Sequence, residues 1–156
     1  MSRRYVLKLP TEYLESPQKD NFEKELRGVQ DYFDDTSLQL EVGFLSFVFL
    51  KGFYSHMNRL TYVVGVFVNA LPDEVLAFSG SLRLRHVGSD DFRAEVDILV
   101  KNESIDELKT NEGVLAYLEV PTQGVVGNAT FETSEIEATF ADVEYVKLSD
   151  EASEEK

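Results

Sequence analysis

The hydrophobic and polar positions of this chain repeat with two periods, first that of a helix and then that of a strand. Between residues 22 and 33 apolar side chains recur at steps of four, three and four, which places them on one face of a helix. Ser16 is a candidate N-cap, and Pro17 fits the first helical position. The pattern therefore predicts one amphipathic helix that packs its apolar stripe against a sheet. The stripe consists of Phe22, Leu26, Val29 and Phe33.

From residue 38 onward, apolar residues alternate with polar ones, which is typical of β-strands. The alternation changes face after Phe44, so a β-bulge is expected beside Gly43. The segment Leu60–Asn69 is apolar on both faces and is predicted to lie in the centre of a sheet that is covered on both sides. A second change of face predicts another bulge near Asp142, within the last strand.

The clearest predicted hairpin joins two alternating segments on either side of the polar residues 88–91. Opposite charges favour a register in which Arg85 faces Glu95 across the two strands. The same register sets Arg83 opposite Asp97 on the solvent face. The hairpin is thus expected to carry two cross-strand ion pairs.

These elements predict a mainly β domain, and two architectures accommodate them. The number of strands and their alternation favour an immunoglobulin-like antiparallel β-sandwich of six or seven strands with one N-terminal amphipathic helix. The alternative is an α+β fold in which a curved antiparallel sheet packs on that helix. No repeat, proline-rich linker or low-complexity block interrupts the chain before residue 148. Residues 1–148 are therefore predicted to form a single β-rich domain, and residues 149–156 an acidic disordered tail.

Composition agrees with one folded domain and removes several kinds of chemistry. The 156 residues are 43% hydrophobic and include 11 Phe and 7 Tyr, which is enough apolar material for a core. The chain has no cysteine, so disulfides, thiol nucleophiles and thiolate metal sites are excluded. The longest apolar stretch, residues 44–50, is too short to cross a bilayer, and the N-terminus lacks the apolar run of a signal peptide. We therefore expect a cytoplasmic protein that does not bind membranes.

The formal net charge of −14, from 29 acidic and 15 basic residues, argues against direct binding of nucleic acid and favours a protein partner with a basic surface. Residues 131–156 contain nine acidic residues and only two lysines, so the negative charge is concentrated at the end of the chain. Acids on the last predicted strand are the candidate partner-binding residues. They are Glu132, Glu135, Glu137, Asp142 and Glu144.

No combination of residues predicts catalysis, a metal or a cofactor. The two histidines, His56 and His86, are thirty positions apart, and neither stands beside a base or nucleophile in a triad-like spacing. The carboxylates at residues 31–35 and 90–91 lack the alternating spacing of a calcium loop and are interpreted as helix-ending and turn residues. The chain is therefore predicted not to be an enzyme, with no catalytic, cofactor-binding or metal residues.

The aromatic series between residues 44 and 54 has two interpretations, which lead to different functions. Its members fill the core of a sheet, or some of them line an apolar groove for a ligand or an unfolded chain. The series consists of Phe44, Phe47, Phe49, Phe53 and Tyr54.

Three functional hypotheses follow. The first is a non-enzymatic protein-binding or adaptor domain that uses its acidic surface. The second is an acidic inhibitor, such as an immunity protein or nucleic-acid mimic, and the third is a carrier or chaperone with an aromatic-lined groove. The acidity could also reflect a saline host without any partner. In each case an exposed edge strand would allow a homodimer.

Overall fold

Eight strands and three α-helices make up the part of the chain that the computed structural model describes, residues 5–36, 40 and 43–147. In chain order they are β1 Val6–Lys8, α1 Thr11–Leu14, α2 Lys19–Asp35, β2 Leu45–Ser55, β3 Leu60–Asn69, β4 Val75–His86, β5 Ser89–Val100, α3 Asn102–Ile105, β6 Glu112–Gln123, β7 Ala129–Glu132 and β8 Ile136–Lys147. A 3₁₀ turn, Thr133–Glu135, joins β7 to β8. The predicted acidic tail, residues 149–156, lies outside the described residues.

The strands form one antiparallel path in the order β7-β2-β3-β6-β5-β4-β8, and β1 adds to β6 in parallel. Between β5 and β6 the ladder contains only two residue pairs, Arg93 with Gln123 and Ala94 with Thr122. This short ladder divides the sheet into a first half of β1, β2, β3, β6 and β7 and a second half of β4, β5 and β8. We call it the seam. The predicted fold class, a mainly β antiparallel domain with one amphipathic helix packed on it, is confirmed, and the described residues contain eight strands where six or seven were predicted.

The main core lies between the two halves of the sheet. Phe67 of β3 is 1% exposed. Its ring centroid lies 4.8 Å from that of Phe47 in the same half and 5.2 Å from those of Phe78 and Phe140 in the opposite half. The two halves therefore face each other as the layers of a sandwich do, while the seam keeps them in one continuous sheet.

A second core lies on the other face of the first half, where α2 covers the sheet. Val29 and Phe33 of the helix are buried with Val66 of β3 and Leu115 of β6. The predicted apolar stripe is thus the face that packs, and β3 is covered on both sides as its sequence indicates. The helix and the second half of the sheet pack on opposite faces of the first half.

The start of the helix differs from the prediction. The helix α2 begins at Lys19, and the Ser16 hydroxyl accepts a hydrogen bond from the Gln18 N–H at 3.0 Å, one turn earlier. The short helix α1 precedes it, which the apolar pattern does not reveal. Ser16 therefore stabilises the connection between the two helices, whereas a cap of α2 was expected.

The first predicted bulge is displaced. Gly43 lies in a turn with φ of +92°, and β2 starts only at Leu45. The shift of register in β2 occurs between Phe49 and Lys51, which leaves Leu50 as the extra residue. The alternation assigned to residues 38–42 falls largely outside the described residues. The change of face after Phe44 therefore marks the start of a strand, and the bulge lies deeper in the sheet.

The predicted hairpin register is wrong by two residues. Arg83 lies opposite Glu95, and Arg85 lies opposite Glu137 of β8 on its other side. The ladder between β4 and β5 is interrupted between Leu84 and His86, because residues 90–93 bulge out of it. This bulge carries the start of β5 away from β4 and allows Arg93 to pair with β6 across the seam.

The last predicted strand is two strands. The chain leaves β7, which pairs with β2, and turns at Thr133–Glu135 before β8 pairs with β4 in the other half. The second bulge is confirmed: Asp142 has φ of +54°, and the register shifts between Ser79 and Ser81 on the facing strand. Because of this bulge, Val143 packs against the main core.

Aromatic side chains of α1, α2 and β6 join at the edge of the second core. The rings of Tyr13 and Phe22 stack with centroids 4.5 Å apart, and Tyr117 lies 5.6 Å from Tyr13 and 5.5 Å from Phe22. Partial burial, together with the charge of Glu25, raises the pKa of Tyr117 to about 12. The phenol of Tyr117 thus stays protonated in the folded protein at pH values where it ionises in the unfolded chain.

The raised pKa predicts a loss of stability in alkali. The unfolded chain releases the Tyr117 proton near pH 10, whereas the folded protein holds it to about pH 12, so stability falls as pH rises between these values. Below pH 10 both states hold the proton, and the group has no effect. Urea unfolding followed by circular dichroism measures this slope. In Tyr117→Phe the slope should be shallower, and equal slopes in both proteins would contradict the assignment.

Candidate functional site

The outer face of β4, β5 and β8 carries most of the acids that sequence and charge single out. Residues directly opposite each other on neighbouring strands share one face of a sheet. Ser79 of β4 lies opposite Glu144, and Ser81 lies opposite Asp97. Arg83 and Arg85 lie on the same face of β4, opposite Glu95 and Glu137 respectively. We call the exposed acids of this surface the acidic face: Glu95, Asp97, Glu137, Asp142 and Glu144.

Two arginines lie among these acids, but the contacts are loose. Arg83 lies 3.6 Å from Glu95 and 3.8 Å from Asp142, and Arg85 lies 3.6 Å from Glu137. These distances exceed the roughly 2.7–2.9 Å of a charge-assisted hydrogen bond. The three acid side chains are 59%, 80% and 63% exposed in the same order. Exposed ion pairs of this kind contribute only about 0–1 kcal/mol to stability. The carboxylates can therefore leave the two arginines and pair with the cations of a partner.

The structure brings together three of the five acids predicted to bind a partner. Glu137, Asp142 and Glu144 belong to the acidic face, whereas Glu132 and Glu135 lie at the turn between β7 and β8. The Glu135 carboxylate accepts a hydrogen bond from the Glu132 N–H at 3.0 Å. A second Glu135 oxygen lies 3.7 Å from His86 Nε2. These two acids therefore stabilise the turn beside the acidic face.

The other two members of the acidic face come from β5. The sequence signal for them exists, since Glu95 and Asp97 alternate with apolar residues and so lie on the solvent side. Their proximity to β8 could not be predicted from the sequence. The strands β5 and β8 do not pair with each other, and each pairs with a different edge of β4. In addition, the Ser81 hydroxyl donates a hydrogen bond to Glu95 at 3.2 Å, which helps to orient this carboxylate.

The ring of each histidine forms a hydrogen bond with a residue two positions away in the chain. Nδ1 of His86 accepts a hydrogen bond from the Gly88 N–H at 3.0 Å, and the imidazole ring lies 5.5 Å from that of Phe131. Nδ1 of His56 lies 3.2 Å from the hydroxyl of Tyr54, next to an exposed turn. These contacts resemble those of structural histidines.

Among residues 5–36, 40 and 43–147, no three His, Asp or Glu side chains are grouped so that they could hold a metal ion. One carboxyl pair is nevertheless perturbed. A hydrogen bond to Glu74, together with the charge of that residue, raises the pKa of Glu107. Glu74 immediately precedes β4, and Glu107 follows α3, so this pair lies outside the acidic face.

The aromatic series of β2 contributes mainly to the core. Phe47, Phe49 and Tyr54 are buried in the main core, whereas Phe44 and Phe53 are 56% and 42% exposed. The first interpretation of the series therefore holds for its three buried members. Of the two exposed rings, Phe44 precedes β2 and Phe53 lies near the end of that strand.

A groove of about 790 Å³ opens at the seam, next to one edge of the acidic face. It is bordered by β4, β5, β6 and the end of the hairpin between β2 and β3. Three arginines, Arg59, Arg83 and Arg93, line it together with a single acid, Glu95. A volume of this size is ordinary for a small-molecule site.

Comparisons of the chain with family models, with curated proteins and with solved structures find no match. Nor does any helix in the described segments have the length and apolar character needed to span a membrane.

Proposed function

We propose that this chain is a non-enzymatic protein-binding or adaptor domain of the cytoplasm, and that its acidic face binds a partner protein with a basic surface. The observation that carries the proposal is the exposure of these acids combined with the weakness of their internal ion pairs. A partner's lysines and arginines can reach the carboxylates without first breaking a buried interaction.

The charge of the whole chain supports the same conclusion. A net charge of −14 creates a field that attracts basic surfaces from a distance and repels acidic ones. Asp97 and Glu144 form no ion pair with any residue of the described segments, so their charges are fully available. Binding should accordingly weaken as salt is added, because salt screens exposed charges.

An acidic inhibitor that mimics nucleic acid is less well supported. Such an inhibitor needs carboxylates along an uninterrupted strip, as phosphates follow one another along a strand. On the acidic face Arg83 and Arg85 lie between the acids of β5 and those of β8. A face that carries both acids and arginines is better suited to a partner protein whose basic surface also contains isolated acids.

The edge of the sheet supports a proposal of homodimerisation alongside partner binding. The strand β8 ends the sheet, and only one of its edges is paired, with β4. Its other edge forms no strand ladder within the described residues, although part of β8 lies close to β2. Where that edge is accessible it could pair with a second copy of the chain, and the bulge at Asp142 would interrupt such a ladder. Sedimentation equilibrium of the intact chain determines the assembly state before any partner is added.

Reversing the two unpaired charges of the acidic face should abolish capture of the partner. We expect immobilised wild-type protein to retain a basic protein from an extract of the source cells and release it as salt is raised, because the attraction is screened. The double variant Asp97→Lys with Glu144→Lys should lose that protein by about tenfold or more, which corresponds to roughly 1.4 kcal/mol. Quantitative mass spectrometry of the retained proteins provides the measurement.

The control carries the same change of charge elsewhere. Glu15 and Asp31 are exposed on the helical side of the molecule. The variant Glu15→Lys with Asp31→Lys has the same net charge as the face variant, so general electrostatic attraction is equal in both. If both variants lose the protein equally, or neither does, the acidic face is not the binding surface.

A further inference from the structure

The groove at the seam has a local charge opposite to that of the whole protein. Its arginines come from three separate elements: Arg59 from the end of the hairpin between β2 and β3, Arg83 from β4 and Arg93 from β5. Glu95 is the single acid among its lining residues. In a chain with about twice as many acids as bases, such an arrangement of cations is unexpected from composition.

Two of these cations have no counterion among the described residues. Arg83 lies near Glu95 and Asp142, as described above. The side chains of Arg59 and Arg93 form neither an ion pair nor a hydrogen bond with any residue of the described segments. Their guanidinium groups therefore have all five N–H donors available for a ligand.

The backbone that carries these arginines is held in place. Arg59 donates its N–H to the Ser55 carbonyl at 2.8 Å, and its own carbonyl accepts the Thr122 N–H at 3.0 Å. Arg93 lies within the two-pair ladder of the seam. Gly124 closes the groove with φ of +82°, and a Cβ there would lie 1.8 Å from the carbonyl oxygen of Asp91. The backbone positions of both arginines are thus fixed before a ligand binds, which reduces the conformational entropy lost on binding.

Apolar side chains complete the groove beside the cations. Leu84, Phe92, Pro121 and Val125 are among its lining residues. A ligand that places an anionic group between the arginines would therefore contact an apolar surface with the rest of its body. Guanidinium groups bind planar or tetrahedral oxyanions through paired hydrogen bonds, which makes carboxylates and phosphates suitable anions.

We propose that the groove at the seam is a binding site for a small organic anion, a carboxylate or phosphate attached to an apolar or aromatic body, held by Arg59 and Arg93. This site borders the acidic face, with which it shares Arg83 and Glu95. The proposed anion is held by Arg59 and Arg93, which do not belong to that face, so neither proposal depends on the other.

Isothermal titration of the intact chain with phenyl phosphate and with benzoate tests this proposal and distinguishes the two anions. At least one of them should bind with a Kd of about 1 mM or below, as expected for a fragment of this size. Benzamide has the shape of benzoate without its charge and should not bind. The proposal would be overturned if neither anion bound at concentrations up to about 10 mM, or if benzamide bound as tightly as the anions.

Substitutions then locate the site. Arg93→Gln and Arg59→Gln should each weaken binding of the anion by about tenfold or more, because each removes charge-assisted hydrogen bonds. Arg27→Gln removes the same charge from an exposed position on α2 and should leave the Kd unchanged. Arg93 is exposed and its backbone pairs with Gln123 of β6, so its side chain remains an informative target if the turn at Arg59 does not tolerate substitution. Equal Kd values in wild type, Arg93→Gln and Arg27→Gln would place the anion elsewhere.

Discussion

Replacing Gly65 with alanine is expected to destabilise the domain by about 3 kcal/mol, because there is no room for a methyl group at this position. A Cβ on Gly65 would lie 2.2 Å from Cζ of Phe47 and 2.7 Å from the carbonyl oxygen of Val48. The Phe47 ring is buried and contacts Phe67 at 4.8 Å, so it cannot move aside freely. The Val48 oxygen belongs to the backbone of the neighbouring strand. Urea unfolding followed by far-ultraviolet circular dichroism measures the loss.

A glycine on α2 provides the matched control. A Cβ on Gly28 would meet no atom within 4 Å, apart from the neighbouring backbone of its own helix. Since alanine favours the helix interior over glycine by up to about 1 kcal/mol, Gly28→Ala should stabilise the domain slightly. The same chemical change is thus expected to act in opposite directions at the two positions. A similar effect on both, in either direction, would show that the close approach of β2 and β3 at Gly65 is not as described.

Replacing Phe67 with alanine should cost about 3–5 kcal/mol, the range found for large aromatic residues truncated in a core. The ring of Phe67 is the point where the two halves of the sheet meet, since it contacts Phe47, Phe78 and Phe140. Its loss leaves a cavity between two layers whose strands, within the described residues, share a ladder only at the seam. We expect the urea midpoint to fall sharply, and the fully unfolded state to be populated without denaturant if the domain is marginally stable.

The comparison for this prediction is Phe44→Ala. Phe44 is 56% exposed and precedes β2, so the same truncation there removes little buried surface. Its effect should remain within about 0.5 kcal/mol, as is usual for surface substitutions. The location of the main core would be in error if the two alanine variants had similar midpoints.

The candidate sites were accessible to sequence reasoning only in part. Composition and position identified Glu137, Asp142 and Glu144, because exposed acids on an alternating strand can be read directly from the sequence. The groove at the seam could not be foreseen in this way. Arg59 and Arg93 are far apart in sequence and lie in segments whose charges are unremarkable, and only the pairing of β5 with β6 brings them to one groove.

The sequence by itself determined the elements whose signal is local. The apolar stripe of α2, the two-sided burial of β3 and the bulge at Asp142 all follow from the spacing of apolar residues within one segment. Periodicity records which side of an element faces the core, and burial of apolar surface then selects the helix or strand that satisfies it.

The tertiary structure alone decided the pairing of those elements. A slip of the β4–β5 hairpin by two residues keeps every side chain on its original face, so the hydrophobic pattern cannot distinguish the two registers. The observed one places Arg83 opposite Glu95, since residues 90–93 leave the ladder and let β5 reach β6. The division of the last strand into β7 and β8 has the same origin, because each part pairs with a different half of the sheet. These choices depend on contacts between residues distant in the chain, which no local period encodes.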